Sequence, residues 1–279
     1  MPDTLMRGLV ARGSARFVAV DVTEAAKKTQ ELHHLNIGAA SLAAECLVAA
    51  TLMSAYIKGE ERITLQLQAE HPPASFMADV DSEGFIRARI RPQQLHFTGS
   101  ISGILVVMNS DFAREIYRGT TEVSGQSIES ALGNHLHDSN QVPATIRLGA
   151  VHDGQTVTFA GGILVERLPV EDEEVANEEL DGCFADLRES EVEEVVRGVL
   201  HEELLGGPVE PLFERELKWQ CRCGQHKVEA MVGSLGKQDL SEMIDEGRPA
   251  EVTCHFCSTT YYVEVVRLEE MKVRLEKLD

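Results

Sequence analysis

The sequence predicts an α+β protein, with an N-terminal mixed sheet domain around a buried helix, a helical acidic linker and a small cysteine-bearing C-terminal domain. Three observations lead to this prediction. A long apolar segment lies among short alternating segments, acidic residues are concentrated in one stretch, and four cysteines lie close together near the end. Strands grouped with few helices between them favour antiparallel pairing over a parallel, doubly wound sheet.

The first predicted domain spans residues 1–168 and is built around one apolar segment. Gly38 to Ile57 is apolar almost all round, which is typical of a helix that is buried on every side. The segment approaches membrane-spanning length, but it contains Glu45 and is followed at once by charged residues. We therefore expect a buried helix, wrapped by sheet, and no membrane span.

Alternating segments predict the strands of this domain. Leu9 to Val22 indicates an opening strand or hairpin, and apolar residues alternate with polar ones over residues 62–69 and with arginines over residues 86–91. The turn dipeptide Asp153-Gly154 predicts a hairpin between Thr145–Val151 and Thr156–Ala160.

Residues 169–218 form the predicted linker, which holds 17 acidic and 4 basic residues and so carries −13 of the formal charge of −20. Valine and Gly198 lower its helix propensity, and Glu193/Arg197 offers one compensating ion pair. We expect a metastable helix that folds only when docked on another surface; a solvated acidic linker is the alternative. The apolar residues that recur at helical spacing are Val192, Val195, Val196, Val199 and Leu200.

The last predicted domain spans residues 219–279, after a predicted chain break at Gly206-Gly207-Pro208 and Pro211. Apolar spacing predicts helices over residues 228–235 and 240–244, a strand over Thr259–Val266 and a closing helix over residues 268–278. Because roughly 60 residues make a thin core on their own, a metal staple is typical of such a domain.

Four of the six cysteines form the motifs Cys221-Arg222-Cys223 and Cys254-His255-Phe256-Cys257, with thirty residues between them. Two thiolate pairs supply the tetrahedral sulfur set that Zn²⁺ prefers, so we predict one zinc ion on Cys221, Cys223, Cys254 and Cys257. This set leaves no open position for water, which argues against hydrolytic catalysis. The zinc is either a static structural ion or part of a redox switch, because the same spacing allows two local disulfides when the thiols are oxidised.

Other candidate residues are given ordinary roles. His226 and His255 lie close enough to serve as substitute ligands, but the four cysteines make this unnecessary. Cys46 is predicted to be a small core residue and His33-His34 an exposed or capping pair, whereas Cys183 is either an inert or a reactive residue of the linker, with the inert role favoured. We find no phosphate-binding glycine loop, no G-x-S-x-G and no H-E-x-x-H motif, so we do not expect an enzyme.

Charge and the N-terminal sequence limit the partners and the compartment. A formal charge of −20 argues against nucleic acid or an anionic membrane as a partner. Met1 to Asp21 has no apolar core behind a basic start, so a cytoplasmic location is expected. Two alternatives remain, a nucleic-acid-binding zinc ribbon and a thiol–disulfide oxidoreductase that uses Cys254-His255-Phe256-Cys257.

The cysteine motifs, with Gly236-Lys237 and Met243-Ile244 between them, resemble those of the heat-shock protein 33 family of bacterial redox-regulated chaperones. The resemblance extends over the whole chain: the segment from Ile57 to Gln66, the segment Ala160-Gly161-Gly162 with Leu168-Pro169, and His201-Glu202-Glu203 are also similar to family segments. One departure is Ser139-Asn140-Gln141, where family members usually have Ser-Glu-Gln, so any role of that carboxylate is absent here.

The resemblance implies an ATP-independent holdase chaperone that is activated by oxidation. In the reduced state, zinc on the four cysteines would keep the C-terminal domain folded and the linker docked. Peroxide with mild unfolding, or hypochlorous acid, would form Cys221–Cys223 and Cys254–Cys257 disulfides and release zinc. The linker would then unfold and uncover apolar surface for unfolding client proteins. The resemblance also implies a monomer when reduced and a homodimer when oxidised.

Overall fold

The computed structural model describes residues 2–10, 13–111, 114–140, 144–168, 181, 184–204 and 207–276. The chain divides into two compact units, Met1–Gln220 and Cys221–Asp279. The architecture is mixed α+β, as the sequence predicts, with most strands in the first unit.

Thirteen strands are described in the first unit, and most of them belong to two sheets whose pairings are antiparallel except for the parallel pair β13–β5. They are β1 (Thr4–Val10), β2 (Ala15–Asp21), β3 (Arg62–His71), β4 (Pro73–Asp81), β5 (Phe85–Arg91), β6 (Ile101–Ser110), β7 (Glu115–Gln126), β8 (Ala144–His152), β9 (Val157–Arg167), β10 (Glu203–Leu204), β11 (Gly207–Pro208), β12 (Glu210–Glu216) and β13 (Lys218–Trp219). One sheet has the order β12-β1-β2-β9-β8, the other β13-β5-β4-β3-β6-β7, and β10 pairs with β11.

Helices fill the space beside and between these sheets. They are α1 (Thr23–His33), α2 (Ile37–Met53), α3 (Ile128–Asn140) and α4 (Val192–Leu200), and residues 184–189 are helical as well. Helix α2 contacts strands of both sheets, so it lies between them.

Helix α2 is the predicted buried helix. Its N-cap is Asn36, whose side chain accepts a hydrogen bond from the backbone N–H of Ala39. Gly162 of β9 allows close packing, because a Cβ there would lie 2.7 Å from Val48 Cγ1. By length and composition Ile37–Tyr56 could cross a membrane, with a mean hydropathy of 1.6, but 72% of it is buried inside the fold. A core helix of a folded domain has this combination of properties.

The five-stranded sheet is apolar on both faces. On β2, Val18 and Val20 point into the core around α2, whereas Phe17 and Ala19 point to the opposite face. This explains why β2 reads as a nearly continuous apolar run and not as an alternating strand. Helix α4 and residues 184–189 cover the second face.

Residues 210–219 correct one prediction. Pro211 was expected to break the chain, but it lies in β12, which pairs with β1 as the outermost strand of its sheet. An outermost strand tolerates proline because the missing N–H faces away from the ladder. Two residues after β12 the chain adds β13 to β5 as the outermost strand of the other sheet.

Arginine side chains contact aromatic rings between β12 and β1, on the face of the sheet that packs against α2. The Arg7 guanidinium lies 4.6 Å from the centroid of the Phe213 ring and 5.1 Å from that of Tyr56. Arg215 lies 4.9 Å from the Phe213 ring, so two cations contact one aromatic side chain of β12.

Cys221–Asp279 is a small unit in which three helices pack on a hairpin. The elements are α5 (Gln225–Gly233), α6 (Lys237–Asp245), β14 (Ala250–Thr253), β15 (Thr260–Val263) and α7 (Val265–Glu276). The predicted strand over Thr259–Val266 is too long, because α7 already begins at Val265. Among the described residues of this unit, six buried apolar side chains form the core: Val228, Val232, Leu240, Val263, Leu268 and Met271.

Candidate metal centre and covered sheet face

Two loops of the small unit carry the cysteines of the C-x-C and C-x-x-C motifs. Cys221 and Cys223 precede α5, which begins at Gln225. Cys254 and Cys257 lie in the loop between β14 and β15. Backbone bonds from Cys254 N to Thr259 O (2.9 Å) and from Ser258 N to Cys254 O (2.9 Å) fold this loop tightly.

The two loops bring all four sulfur atoms together. The four Sγ atoms lie within 4.8 Å of one another, and all four residues are half-buried. Cys221 Sγ lies 3.6 Å from Cys254 Sγ, and Cys223 Sγ lies 3.2 Å from Cys257 Sγ, so these two contacts join one loop to the other. A compact set of four sulfur donors has the geometry to hold one metal ion.

Polar contacts around the cluster join the same two parts of the chain. The Gln225 side chain donates to the Tyr262 carbonyl at 2.8 Å, which ties the start of α5 to β15. Arg267 of α7 pairs with Glu229 of α5 at 2.9 Å. The first contact positions the start of α5, next to the C-x-C loop, against the hairpin that carries the C-x-x-C motif, and the second holds α5 against α7.

Two hydroxyl groups contact the sulfur atoms, and the sequence did not predict either contact. The Tyr261 hydroxyl lies 3.0 Å from Cys223 Sγ, and the Thr259 hydroxyl lies 3.2 Å from Cys257 Sγ. Both residues follow the C-x-x-C motif on alternate positions of the hairpin, a spacing that places them on one side of the strand. That alternation is the signal that could have identified them.

The pKa values of the thiols reflect this crowding. The pKa of Cys223 is raised to about 12, mainly by burial and to a lesser extent by the neighbouring thiols. The hydrogen bond with Tyr261 acts in the opposite direction and lowers it. Burial also raises the pKa of Cys254. At Cys257 burial acts in the same direction, but hydrogen bonds with the Thr259 hydroxyl and backbone outweigh it and lower the pKa to about 7. A coordinated divalent cation lowers the pKa of the thiols that bind it, so that they are deprotonated.

The hydrogen bond with Cys223 also raises the pKa of the Tyr261 phenol to about 12. A phenol with such a pKa keeps its proton at neutral pH. The Tyr261 hydroxyl is therefore available as a hydrogen-bond donor to sulfur.

The remaining candidate residues lie elsewhere or have other roles. His226 and His255 are exposed and do not belong to the sulfur cluster. Cys46 is fully buried in α2, which confirms it as a core residue. Cys183 and the side chain of Asn140 lie outside the described residues.

His33 and His34 end α1, and the prediction of a capping pair is partly right. His34 is the C-cap, in the left-handed conformation with φ 51°, and its N–H donates to Gln30 O and Glu31 O. His33 is buried, not exposed, and its Nε2 lies 3.2 Å from the Ala88 carbonyl oxygen. Helix α1 packs on β5, which accounts for this burial.

In the first unit, the predicted valine stripe forms α4 and covers the second face of the five-stranded sheet. Val195, Val196 and Val199 are buried, and the predicted ion pair between Glu193 and Arg197 is present at 2.7 Å. The sheet residues beneath this cover are Met6, Val10, Ala15, Phe17, Ala19, Phe159, Ile163 and Val165.

Gly198 has a packing role in this helix. A Cβ at this position would lie 2.9 Å from the carbonyl oxygen of Glu203, where the chain turns back after α4. Glycine lowers the helix propensity, but here it lets the following β10–β11 hairpin approach the helix.

Comparisons with known proteins agree with one another. A family model described as "Hsp33 protein" matches residues 3–264. Proteins named "33 kDa chaperonin" from Bacillus velezensis and Bacillus pumilus are 25% and 26% identical, over 97% and 99% of this chain and 98% and 100% of theirs. The crystal structure of the 33 kDa chaperonin from Thermotoga maritima matches with a TM-score of 0.85 at 21% identity, over 100% of both chains. The fold is therefore shared with that structure.

Proposed function

The chain belongs to the Hsp33 family of chaperones, and we propose that it is a holdase whose binding of unfolding client proteins is switched on by oxidation of Cys221, Cys223, Cys254 and Cys257. It acts without ATP and without turnover of a substrate. The observation that carries the proposal is the cluster of four sulfur atoms within 4.8 Å in a unit with a core of six buried apolar residues.

The four cysteines fit Zn²⁺ better than other common metals. A half-buried set of four sulfur donors suits a borderline-soft cation, and the set contains no carboxylate or imidazole that would favour a harder one. When bound, zinc keeps the thiols deprotonated and holds the two loops together. A structural zinc contributes on the order of 10 kcal/mol to folding, a large share of the stability of a small domain.

Oxidation of each cysteine pair is a two-electron step. One thiolate attacks a peroxide oxygen, the O–O bond breaks, and the leaving hydroxide takes up a proton to give water. The second thiolate then attacks the sulfenic sulfur, an S–S bond forms, and the sulfenic oxygen leaves with a further proton as water. One peroxide is consumed for each disulfide, and two disulfides leave no thiolate to hold zinc.

The disulfides of the oxidised form are proposed to be Cys221–Cys223 and Cys254–Cys257. In the reduced cluster, sulfur contacts of 3.6 Å and 3.2 Å join the two loops, and the two thiols of each motif also interact with each other. The proposed pairing rests on distance in the sequence. Once the unit begins to open, the two cysteines of each motif, which are close neighbours in sequence, have the shortest loop to close.

The covered face of the five-stranded sheet supplies an apolar surface for clients. Helix α4 and residues 184–189 lie on it, and the same chain continues through β12 and β13 to Cys221. We propose that loss of zinc unfolds Cys221–Asp279 and lets the linker leave the sheet. The uncovered surface then binds unfolding proteins through apolar contacts.

The charge distribution supports the remaining parts of the proposal. Residues 169–218 carry a net charge of −13, which would keep the active form soluble and oppose binding to nucleic acid or anionic membranes. The protein is proposed to be cytoplasmic, monomeric when reduced and a homodimer when oxidised.

The test measures zinc release and client protection in one titration. Reduced, zinc-loaded protein is treated with peroxide or hypochlorite, released zinc is followed with a metallochromic dye, and aggregation of thermally unfolding citrate synthase is followed by light scattering. We expect one zinc per chain to be released as protection appears. Cys183→Ser serves as the control and should behave like the wild type, because Cys183 belongs to neither cysteine motif.

Two results would contradict the proposal. Zinc that stays bound under oxidant, or zinc that leaves without any gain in client protection, would indicate a static structural site. Peptide mapping of the oxidised protein tests the pairing separately, since disulfides between residues 221 and 254 or between residues 223 and 257 would refute the local pairs.

A further inference from the structure

Tyr261 connects the two halves of the sulfur cluster. It lies in β15 opposite Val252 of β14, and its half-buried ring packs against the core of the small unit. Its hydroxyl lies 3.0 Å from Sγ of Cys223, a residue 38 positions earlier in the chain. The side chain therefore joins the hairpin of the C-x-x-C motif to the C-x-C loop.

The direction of this hydrogen bond follows from the chemistry of the partners. A metal-bound cysteine is a thiolate and carries no proton, so the tyrosine O–H is the donor. A donor on sulfur withdraws charge from the lone pairs that would attack an oxidant. The nucleophilicity of a thiolate falls as its charge density and basicity fall.

Thr259 makes a similar contact, but its sequence position differs. Its hydroxyl lies 3.2 Å from Sγ of Cys257, two residues away in the same loop. That contact depends on the local fold of one loop. The contact of Tyr261 requires both loops to be in place, so it is lost as soon as the cluster opens.

We propose that Tyr261 is a positioning residue of the redox switch, whose hydroxyl donates to the Cys223 thiolate and slows its attack on oxidants. It therefore sets the oxidant level at which the site opens, and the first opening removes this restraint. This inference rests on the proposed function, since it concerns the rate of the same oxidation. The packing of the ring and the hydrogen bond from the hydroxyl can be tested separately, because phenylalanine at this position keeps the ring and removes the hydroxyl.

The chain offers a matched control beside Tyr261. Tyr262 is the next residue, its side chain is 53% exposed, and its described contact near the cluster is through its backbone carbonyl, which accepts from Gln225. Tyr262→Phe removes one hydroxyl from the same strand without removing a sulfur contact. Tyr261→Phe and Tyr262→Phe thus differ in the one hydrogen bond under test.

The experiment compares zinc release from the wild type and these two variants by two routes. In the first, excess peroxide drives release and the second-order rate constant is measured. In the second, a strong chelator drives release without oxidant. Thermal unfolding of the zinc-loaded proteins shows whether each variant is folded.

We expect Tyr261→Phe to release zinc about three- to tenfold faster under peroxide, since about half the free energy of a charge-assisted hydrogen bond should appear in the attack rate. Release by chelator should be unchanged or slower, because a thiolate without the donor binds zinc at least as well. Tyr262→Phe should match the wild type by both routes.

The outcomes separate this inference from the proposed function. If the wild type releases zinc under peroxide and Tyr261→Phe does so no faster, the role of Tyr261 is wrong and the redox switch stands. Equal acceleration by peroxide and by chelator would mean that the variant has loosened the site, which also overturns the inference. If peroxide releases no zinc from the wild type, the proposed function fails and the inference fails with it.

Discussion

At the scale of single residues, two carboxyl groups, the buried Asp3 and the half-buried Glu45, link the stability of the first unit to pH. Asp3 accepts hydrogen bonds from the N–H groups of Glu24 and Ala25 at 2.8 Å and 2.7 Å, and burial raises its pKa to about 7. Burial and the nearby Glu129 raise the pKa of Glu45 to about 8. Ordinary carboxyl groups of an unfolded chain titrate near pH 4. Both groups therefore stabilise the fold fully below about pH 4, and this contribution is lost as the pH rises through 7 to 8.

We predict that Glu45→Gln leaves the first unit nearly unchanged at about pH 4 and makes it increasingly more stable than the wild type as the pH rises to about 8.5, by a few kcal/mol, since each unit of raised pKa is worth about 1.4 kcal/mol. The introduced amide stays neutral at every pH, so the variant avoids burying a charge. Thermal unfolding at a series of pH values measures the difference. Glu31→Gln is the control, since Glu31 is exposed and should show no such gain. A parallel pH dependence of Glu45→Gln and the wild type would contradict the prediction.

Whether a residue of the candidate site could be predicted from the sequence depends on how far away in the chain its partner lies. Cys221, Cys223, Cys254 and Cys257 could be predicted because residue type and local spacing carry the metal chemistry. Alternation after the C-x-x-C motif indicates the side of the hairpin on which Tyr261 lies, but its contact with Cys223 could not be predicted, since the two residues are 38 positions apart and meet only in the folded unit. The burial of His33 was missed for the same reason, because its partner is the carbonyl of Ala88 in β5.

At the scale of elements, α4 holds the linker on the sheet through three buried valines. The helix itself has few features that would stabilise it in isolation. No described side chain caps its N-terminus, and acidic residues follow its last turn. Its stability therefore comes from docking on the apolar sheet face beneath it.

We predict that Val195→Asp combined with Val199→Asp undocks the linker and gives client protection without oxidation. Two carboxylates cannot be buried against Phe17 and Phe159 without a large desolvation cost. Limited proteolysis of residues 169–218 and citrate synthase protection are measured on the reduced, zinc-loaded protein. Glu194→Gln, at an exposed position of the same helix, should behave like the wild type. Unchanged proteolytic resistance in the double variant would mean that docking of α4 is not what holds the linker on the sheet.

Elements with a one-sided or uniform apolar pattern could be predicted, and those defined by distant partners could not. The valine stripe of α4 and the apolar run of α2 carry their own signal. Strand β7 carries little, because as an outermost strand it has Val123 as its one residue with a buried side chain. Strand β12 was missed because Pro211 is a breaker in most strands, and its position beside β1 is set by chain segments roughly two hundred residues apart.

At the scale of the whole molecule, the two units have very different cores. The first has an extensive core between and outside its sheets, whereas the second has six buried apolar residues and the sulfur cluster. The large unit should therefore be stable by itself, and the small one should depend on the proposed zinc ion. Sequence composition predicts this contrast, because the apolar strands and helix lie early in the chain and the cysteines late.

We predict that Cys254→Ser lowers zinc content, unfolds residues 221–279 and leaves the first unit folded. Removing one of four thiolates takes away most of the zinc contribution, which is on the order of 10 kcal/mol. Hydrogen exchange resolved along the chain measures both units at once. Zinc retained in full by Cys254→Ser would refute the ligand assignment, and Cys183→Ser again serves as the control.

Trp219, the one tryptophan of the chain, reports on the same event from the first unit. It lies in β13, packs against the core around α2 and stands two residues before Cys221. If unfolding of residues 221–279 spreads into the linker, the emission of Trp219 should shift to the red. Emission that stays constant while zinc leaves would mean that β13 remains in place.

The positions of β12 and β13 have a consequence for what a departing linker leaves behind. One continuous stretch of chain closes the open side of both sheets, at β1 and at β5. Its removal would leave N–H and C=O groups of both strands without partners, at two places at the same time. Unpaired backbone groups form a template for any extended chain, whatever its side chains. A client bound there would be recognised by its lack of folded structure. The edges of β1 and β5 would be paired again when the linker returned.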